Sequence, residues 1–222
     1  MNTSVTNTAR LLGAGLRALL VLTLVTGVVY PLVVTGIAQA LFPGRANGSE
    51  IRADGRVVGS SLIGQPYDLP PAKGQQAPRP DLKWFQGRPA NGLGANSVNT
   101  RYHLILSGAT NLAADSKALL QQVRDAKAAV VRDNSVPGYT VEPSDVPADA
   151  VTSSGSGLDP DISPAYAALQ THRVAAENRL PLARVRQLVE DHTTGRTLGF
   201  LGEPRVNVLE LNTALKDLAA KG

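Results

Sequence analysis

Between Val151 and Pro164 the chain reads Val-Thr-Ser-Ser-Gly-Ser-Gly-Leu-Asp-Pro-Asp-Ile-Ser-Pro: small residues at Ser153 to Gly157, two carboxylates, then a helix start. A run of small residues lets backbone N–H groups converge on an anion, whereas Asp159 and Asp161 would suit a cation. The same residues also serve as a tight turn and cap, and all three uses stay open at this stage. A serine nucleophile at Ser156 lacks the first glycine of a Gly-x-Ser-x-Gly elbow, because Ser154 stands there. A hydrolase would have to recruit Ser156, His192 and Asp191, and the sequence adjacency of the last two is no substitute for triad geometry.

Other chemistries find less. His103, His172 and His192 stand more than four residues apart, so no pair has a helical metal-ligand spacing. His172 falls between Leu169 and Ala176 on an apolar stripe and reads as a core or boundary residue. Cysteine is absent, which removes disulfides, thiol catalysis and zinc thiolate sites. No Lys follows a Gly and none precedes a Thr, so neither a P-loop nor an Asp-Lys-Thr phosphorylation signature is present. No catalytic residue, metal ligand or covalently bound cofactor is expected.

The elements that must hold these residues begin at a membrane. From Ala18 to Gly44 the chain has no charged residue, and roughly 20 apolar residues cross the hydrocarbon layer as one helix. We expect a tail over 1–13, a transmembrane helix over 14–38, and a soluble domain over 45–222. The competing reading is a cleaved signal, since Ala38-Gln39-Ala40 has a small-x-small form. Length of the uncharged run and Tyr30-Pro31 in its middle favour a retained anchor. Gly13, Gly27 and Gly36 with Thr23, Thr26 and Thr35 offer a small-residue face for partner helices.

Beyond the span, Asp54-Gly55 between Ile51-Arg52-Ala53 and Arg56-Val57-Val58 predicts a type I′ hairpin continuing through Leu62-Ile63. From Gly64 to about Asn111 the chain is rich in Gly, Pro, Asn and Gln, interrupted by Trp84-Phe85 and Tyr102 to Leu106. We read 45–113 as a hairpin and loop-rich arm with short strands. The remainder, 114–222, reads as mainly helical. Helices are predicted over Ser116–Asp133, from Ser163-Pro164 to about Arg179, over Pro181–Asp191, and along Val208, Leu211, Leu215 and Leu218. The fold class is therefore α+β. The chain carries net charge +4, but two Arg and no acid lie in its first 44 residues, leaving the domain 20 bases against 18 acids. A nucleic-acid surface is not expected.

Residues Val151 to Pro164 closely resemble the signature of the C subunit of the Kdp potassium-transporting ATPase (KdpC). Four further stretches agree: Gly59–Gln65, Trp84–Pro89, Arg173-Val174-Ala175 and Leu198–Asn212. The resemblance implies an accessory subunit of a high-affinity potassium uptake complex in the inner membrane, with a short cytoplasmic N-terminus and an extracytoplasmic domain. Its implied partners are a channel-like potassium-binding subunit and a P-type ATPase subunit. The family is described as a catalytic chaperone that raises ATP affinity of the ATPase subunit, which a domain across the bilayer would do indirectly. The family's Ser-Gly-Gly-Ser-Asn stretch is Ser107-Gly108-Ala109-Thr110-Asn111 here, and its usual His after Asp-Pro is Asp161. Nucleotide or partner contact, with ATP bound only in complex, would then fall on Ser107, Gly108, Ser153, Gly155, Ser156 and Gly157. Asp159, Asp161, Glu203 and Glu210 are candidates for partner contact or ion steering.

Overall fold

The computed structural model describes residues 2–73, 78–95 and 105–220. The chain forms two compact units, Met1–Glu50 and Ile51–Gly222. The first is helical: α1 (Asn2–Leu24), a π-helical turn (Val25–Val29), α2 (Tyr30–Leu41) and the short α3 (Pro43–Ala46). Pro31 causes the π turn. It has no N–H, and its ring would strike the carbonyl four residues back, at Gly27. The backbone widens so that the Tyr30 N–H donates to Val25 O, five residues earlier, and the helix continues unbroken. Apolar side chains such as Leu19, Val21 and Leu32 are bare along it. The segment Ser4–Leu41 is long and apolar enough to cross a membrane, and the part from Ala18 to Leu41 would rise about 36 Å.

The second unit mixes helices with very short strands, as an α+β fold. β1 (Glu50–Ala53) and β2 (Arg56–Ser60) pair as a hairpin. Asp54 and Gly55 both take positive φ, 50° and 73°, which a type I′ turn requires. The strand does not continue through Leu62-Ile63 as expected. There the Ser60 hydroxyl accepts from the Leu62 N–H at 3.1 Å and the Ser60 carbonyl from the Ile63 N–H at 3.2 Å, so a local turn replaces the ladder. Two antiparallel pairs follow, β3 (Asp68–Leu69) with β4 (Arg79–Pro80), and β5 (Gly94–Ala95) with β6 (Ile105–Leu106). Tyr102, His103 and Leu104, expected in a strand with Ile105 and Leu106, lie outside the described residues.

Helix α4 (Lys117–Asn134) starts at Ser116, whose hydroxyl accepts from the Leu119 N–H at 3.5 Å. Strand β7 (Asp161–Ile162) leads into α5 (Pro164–Asn178), capped by Ser163 on the Tyr166 N–H at 3.0 Å and ended by Arg179 at φ 56°. Then come α6 (Leu182–Asp191), β8 (Thr193–Thr194), β9 (Arg205–Asn207) and α7 (Val208–Ala220). The three strands form one antiparallel sheet in the order β7-β9-β8, with Ile162 and Thr193 both opposite Val206.

The core gathers around α5. Ala167 and Val174 pack with Val185 of α6, Leu211 and Leu215 of α7, Val130 of α4, Ile162 and Val206 of the sheet, and Phe85 of the arm. Phe85 is wholly buried, although it sits in a segment without regular structure. Side chains supply the hydrogen bonds that this segment's backbone cannot make with itself. Asn212 accepts from the Phe85 N–H and donates to the Phe85 carbonyl, each at 2.9 Å. Gln170 does the same for Gln86, at 2.7 and 3.0 Å. The guanidinium of Arg173, 1% exposed, donates to Leu82 O, to Trp84 O at 2.9 Å, to Asn134 Oδ1 at 2.9 Å and to Gln170 Oε1 at 2.7 Å. Burial pushes the Arg173 guanidinium down to about 10 and the neighbouring Tyr166 phenol up to about 12, so Arg173 is cationic and Tyr166 neutral at pH 7.

Replacing Arg173 by Met should cost about 3 kcal/mol or more, because buried carbonyls and Asn134 lose their donors. Arg173→Lys should not restore it, since an ammonium lacks the planar fork that reaches four acceptors. Urea unfolding of the full chain in detergent measures both.

Candidate functional site

The loop between Val151 and Pro160 is where the separate stretches of the sequence meet. Gly64 donates its N–H to Leu158 O at 2.8 Å, and Val208 donates to Pro160 O at 3.0 Å. A Cβ on Gly64 would stand 2.5 Å from Asp159 O, so that approach requires glycine. Arg88 reaches across from the Trp84–Pro89 segment, bonding Asp159 Oδ2 at 2.9 Å and Thr152 O at 3.4 Å. The Ser156 carbonyl accepts from the Gly108 N–H at 3.0 Å and the Ser107 hydroxyl at 2.8 Å. Ser153 Oγ accepts from the Asn91 N–H at 3.2 Å. Gly157 turns the chain at φ 68°. At the far end Asp149 accepts from both the N–H and the hydroxyl of Ser163, at 2.7 and 2.9 Å, which fixes the start of α5.

The structure therefore brings Ser107 and Gly108 against Ser156, with Ser153, Gly155 and Gly157 in the same loop. A cleft of about 260 Å³ lies beside it, lined by Asn91, Thr110, Gln122, Ser153 and Gly155 among others. None of its described lining residues is charged. Serine hydroxyls and backbone amides there can bind a neutral polar group, while a triphosphate would find no cation among the described lining residues. On the other side a cleft of about 220 Å³ is lined by Gln65, Tyr67, Asp68, Arg88, Leu93 and Asp159.

The four candidate acids do not converge. Asp159 is tied to Arg88, and its Oδ1 accepts from the Asp161 N–H at 3.1 Å, a local turn of the Asx type. Asp161 pairs with Arg205 at 3.0 Å and accepts from Asn207 Nδ2 at 3.2 Å. Burial nevertheless raises the Asp161 carboxyl above its usual range, outweighing the Arg205 attraction. Glu203 pairs with Arg196 at 2.8 Å on an exposed loop, and Glu210 is exposed in the first turn of α7. Ser156, Asp191 and His192 are not brought together either. Ser156 Oγ accepts from the Leu158 N–H, Asp191 is held by Gln187, and His192 Nδ1 lies 2.8 Å from Leu188 O. Among the described residues no three of His, Asp and Glu cluster as metal ligands.

The family model described as KdpC, K+-transporting ATPase, c chain, matches residues 12–217. The chain belongs to that family. A Streptomyces coelicolor protein described as a potassium-transporting ATPase KdpC subunit is 76% identical over 222 residues, covering 100% of this chain and 99% of that protein. One from Streptomyces avermitilis is 73% identical, covering 99% of each, and one from Gemmatimonas aurantiaca is 48% identical, covering 92% of this chain and 94% of its own length. The stretches by which the sequence resembles KdpC include those that build the Val151–Pro160 loop and its supports.

Two features of the domain escaped the reading of the sequence. The first is a closed turn at 197–201 that points Leu198, Phe200 and Leu201 into solvent. Its signal was present as three large apolar residues within four positions, hidden by the absence of any strand or helix period. The second is the setting of His172, which stacks on Tyr139 with ring centroids 3.7 Å apart and planes 4° from parallel. Its Nε2 lies 2.9 Å from Arg186 Nη2. A guanidinium only donates, so Nε2 accepts and the imidazole is neutral. Partial burial and then the Arg186 charge hold the His172 pKa below its usual value. His172 is a boundary residue, as its place on the α5 stripe suggested.

The sign follows from that depression. A histidine whose folded pKa is lowered contributes stability fully above the unfolded value near 6.5, and loses it as pH falls through the folded pKa. The melting temperature of the chain should decline as pH is lowered from about 7.5 to 5.5, and His172→Gln should flatten that decline. Thermal melts across this window test it.

Proposed function

We propose that the chain is a non-catalytic accessory subunit of a high-affinity, ATP-driven potassium uptake complex. Its helix is a retained single-pass anchor of the inner membrane over 14–38, with a cytoplasmic tail over 1–13 and the domain 45–222 outside the cytoplasm. Its partners are a channel-like potassium-binding subunit and a P-type ATPase subunit, and small residues such as Gly27 face the partner helices. The observation that supports this best is likeness to KdpC subunits along the whole chain. The site geometry agrees with it: Ser107, Ser156, Asp159 and Asp161 hold one loop to its neighbours.

A domain outside the cytoplasm cannot touch ATP in the cytoplasm. It raises ATP affinity by contacting one conformation of the complex better than another, a coupling worth about 1–3 kcal/mol, or 5–150-fold. Ser107, Gly108, Ser153, Gly155, Ser156 and Gly157 then serve the loop and its partner contact and hold no nucleotide in the isolated chain. Asp159 and Asp161, paired with Arg88 and Arg205, hold the loop and add little net field for steering potassium.

Potassium-stimulated ATP hydrolysis by the purified complex should weaken several-fold in apparent ATP affinity when only residues 1–50 of this chain are supplied. The full chain alone, in detergent, should show no saturable binding of labelled ATP, and its mass should include residues 1–40. Micromolar ATP binding abolished by Ser156→Leu would overturn the indirect mechanism.

A further inference from the structure

The turn at 197–202 exposes the densest group of large apolar side chains among the described residues of the domain: Leu198 is 79%, Phe200 69% and Leu201 51% exposed. Its backbone is closed. Thr197 and Leu201 exchange N–H to carbonyl bonds at 2.9 Å in both directions, and Gly199 and Phe200 donate back to Arg196 and Thr197 at 3.1 and 3.3 Å. Leu198 sits at φ 55°, a region leucine seldom enters, between Thr197 and a Gly199 at φ 81°. The turn therefore fixes the backbone from which these side chains project, at the cost of exposing them.

We propose that this turn is a preorganised apolar knob that docks in an apolar pocket on another chain of the K+-transporting ATPase. The proposal rests on the subunit reading above. Charge decides between a protein pocket and the bilayer surface. Arg196 and Glu203 close the base of the turn as an ion pair at 2.8 Å, so the tip has a neutral rim. Residues 195–204 contain no Trp, Tyr or Lys. A membrane-binding loop engages headgroups with unpaired basic residues and the polar-tipped rings of Trp and Tyr; here the one base of 195–204 outside the sheet, Arg196, is paired with Glu203, and Phe200 has no polar tip. An aromatic residue on a closed backbone is instead suited to anchor a protein interface, and the backbone ordering cost has already been met in the free chain.

The test is made in membranes containing the whole complex, with p-benzoylphenylalanine replacing Phe200, or replacing the exposed Leu120 of α4 as a control. Irradiation should give an adduct at position 200, and not at 120, with an ATPase chain identified by mass spectrometry. The Leu198→Ser, Phe200→Ser double variant should co-purify with the other chains about tenfold less or worse, with an unchanged melting temperature. An adduct with lipid alone, or none at position 200, overturns the knob even if the variant proves unstable, because the adduct is read in the otherwise native chain. Failure of the wild-type chain to co-purify would instead overturn the subunit reading; co-purification without an adduct overturns only the knob.

Discussion

Arg173 and the amides around it hold a segment that has no hydrogen-bonded ladder of its own. Phe85 carries residues 82–86 to the core, and burial there strips its own N–H and carbonyl groups of water. The bonds come from three helices: Asn134 of α4 steadies Arg173, Gln170 and Arg173 of α5 reach the backbone, and Asn212 of α7 brackets Phe85. An unpaired buried guanidinium would be strongly destabilising, and here four acceptors offset its desolvation. Among the described residues, no buried side-chain nitrogen or oxygen lacks a partner.

The loop from Val151 to Pro160 depends on that arrangement. Residues 84–86 are fixed by the helices, so Arg88, two residues further on, is placed to reach Asp159 and Thr152. Asn207 Nδ2 joins Ser61 O at 2.8 Å to Asp161 on the other side, bringing the first hairpin's exit to the sheet. The polar side chains of this loop are consumed in holding it to its neighbours. Under the function proposed above, a firmly held loop is useful, because a surface biases an equilibrium only by differing in its fit to the two states.

The helices were legible from a capped start, from a period, or from both. Ser163-Pro164 starts α5, Ser116 starts α4, and the stripes of α6 and α7 recur at 3.6-residue spacing. The hairpin was legible from Asp54-Gly55 alone. The sheet β7-β9-β8 was not, since strands of two or three residues are too short to show alternation. The arm was read as loop-rich, but the placing of Gln86 and Phe85 within it rests on Gln170 and Asn212, 84 and 127 residues away respectively. Pairings across such separations leave no local pattern. The same holds for Asp159, whose partner Arg88 is 71 residues distant: the carboxylates were visible and their neutralising bases were not.

The central claim is that side chains from α5 and α7 lock the irregular segment as firmly as a helix locks itself. Amide hydrogen exchange of the full chain, resolved at Phe85 and Gln86, measures this directly, because the Phe85 N–H is held by Asn212 and the Gln86 N–H by Gln170. The account predicts that both amides exchange as slowly as those of Ala167 and Val174 in the middle of α5. Exchange at the rate of an open loop would contradict it.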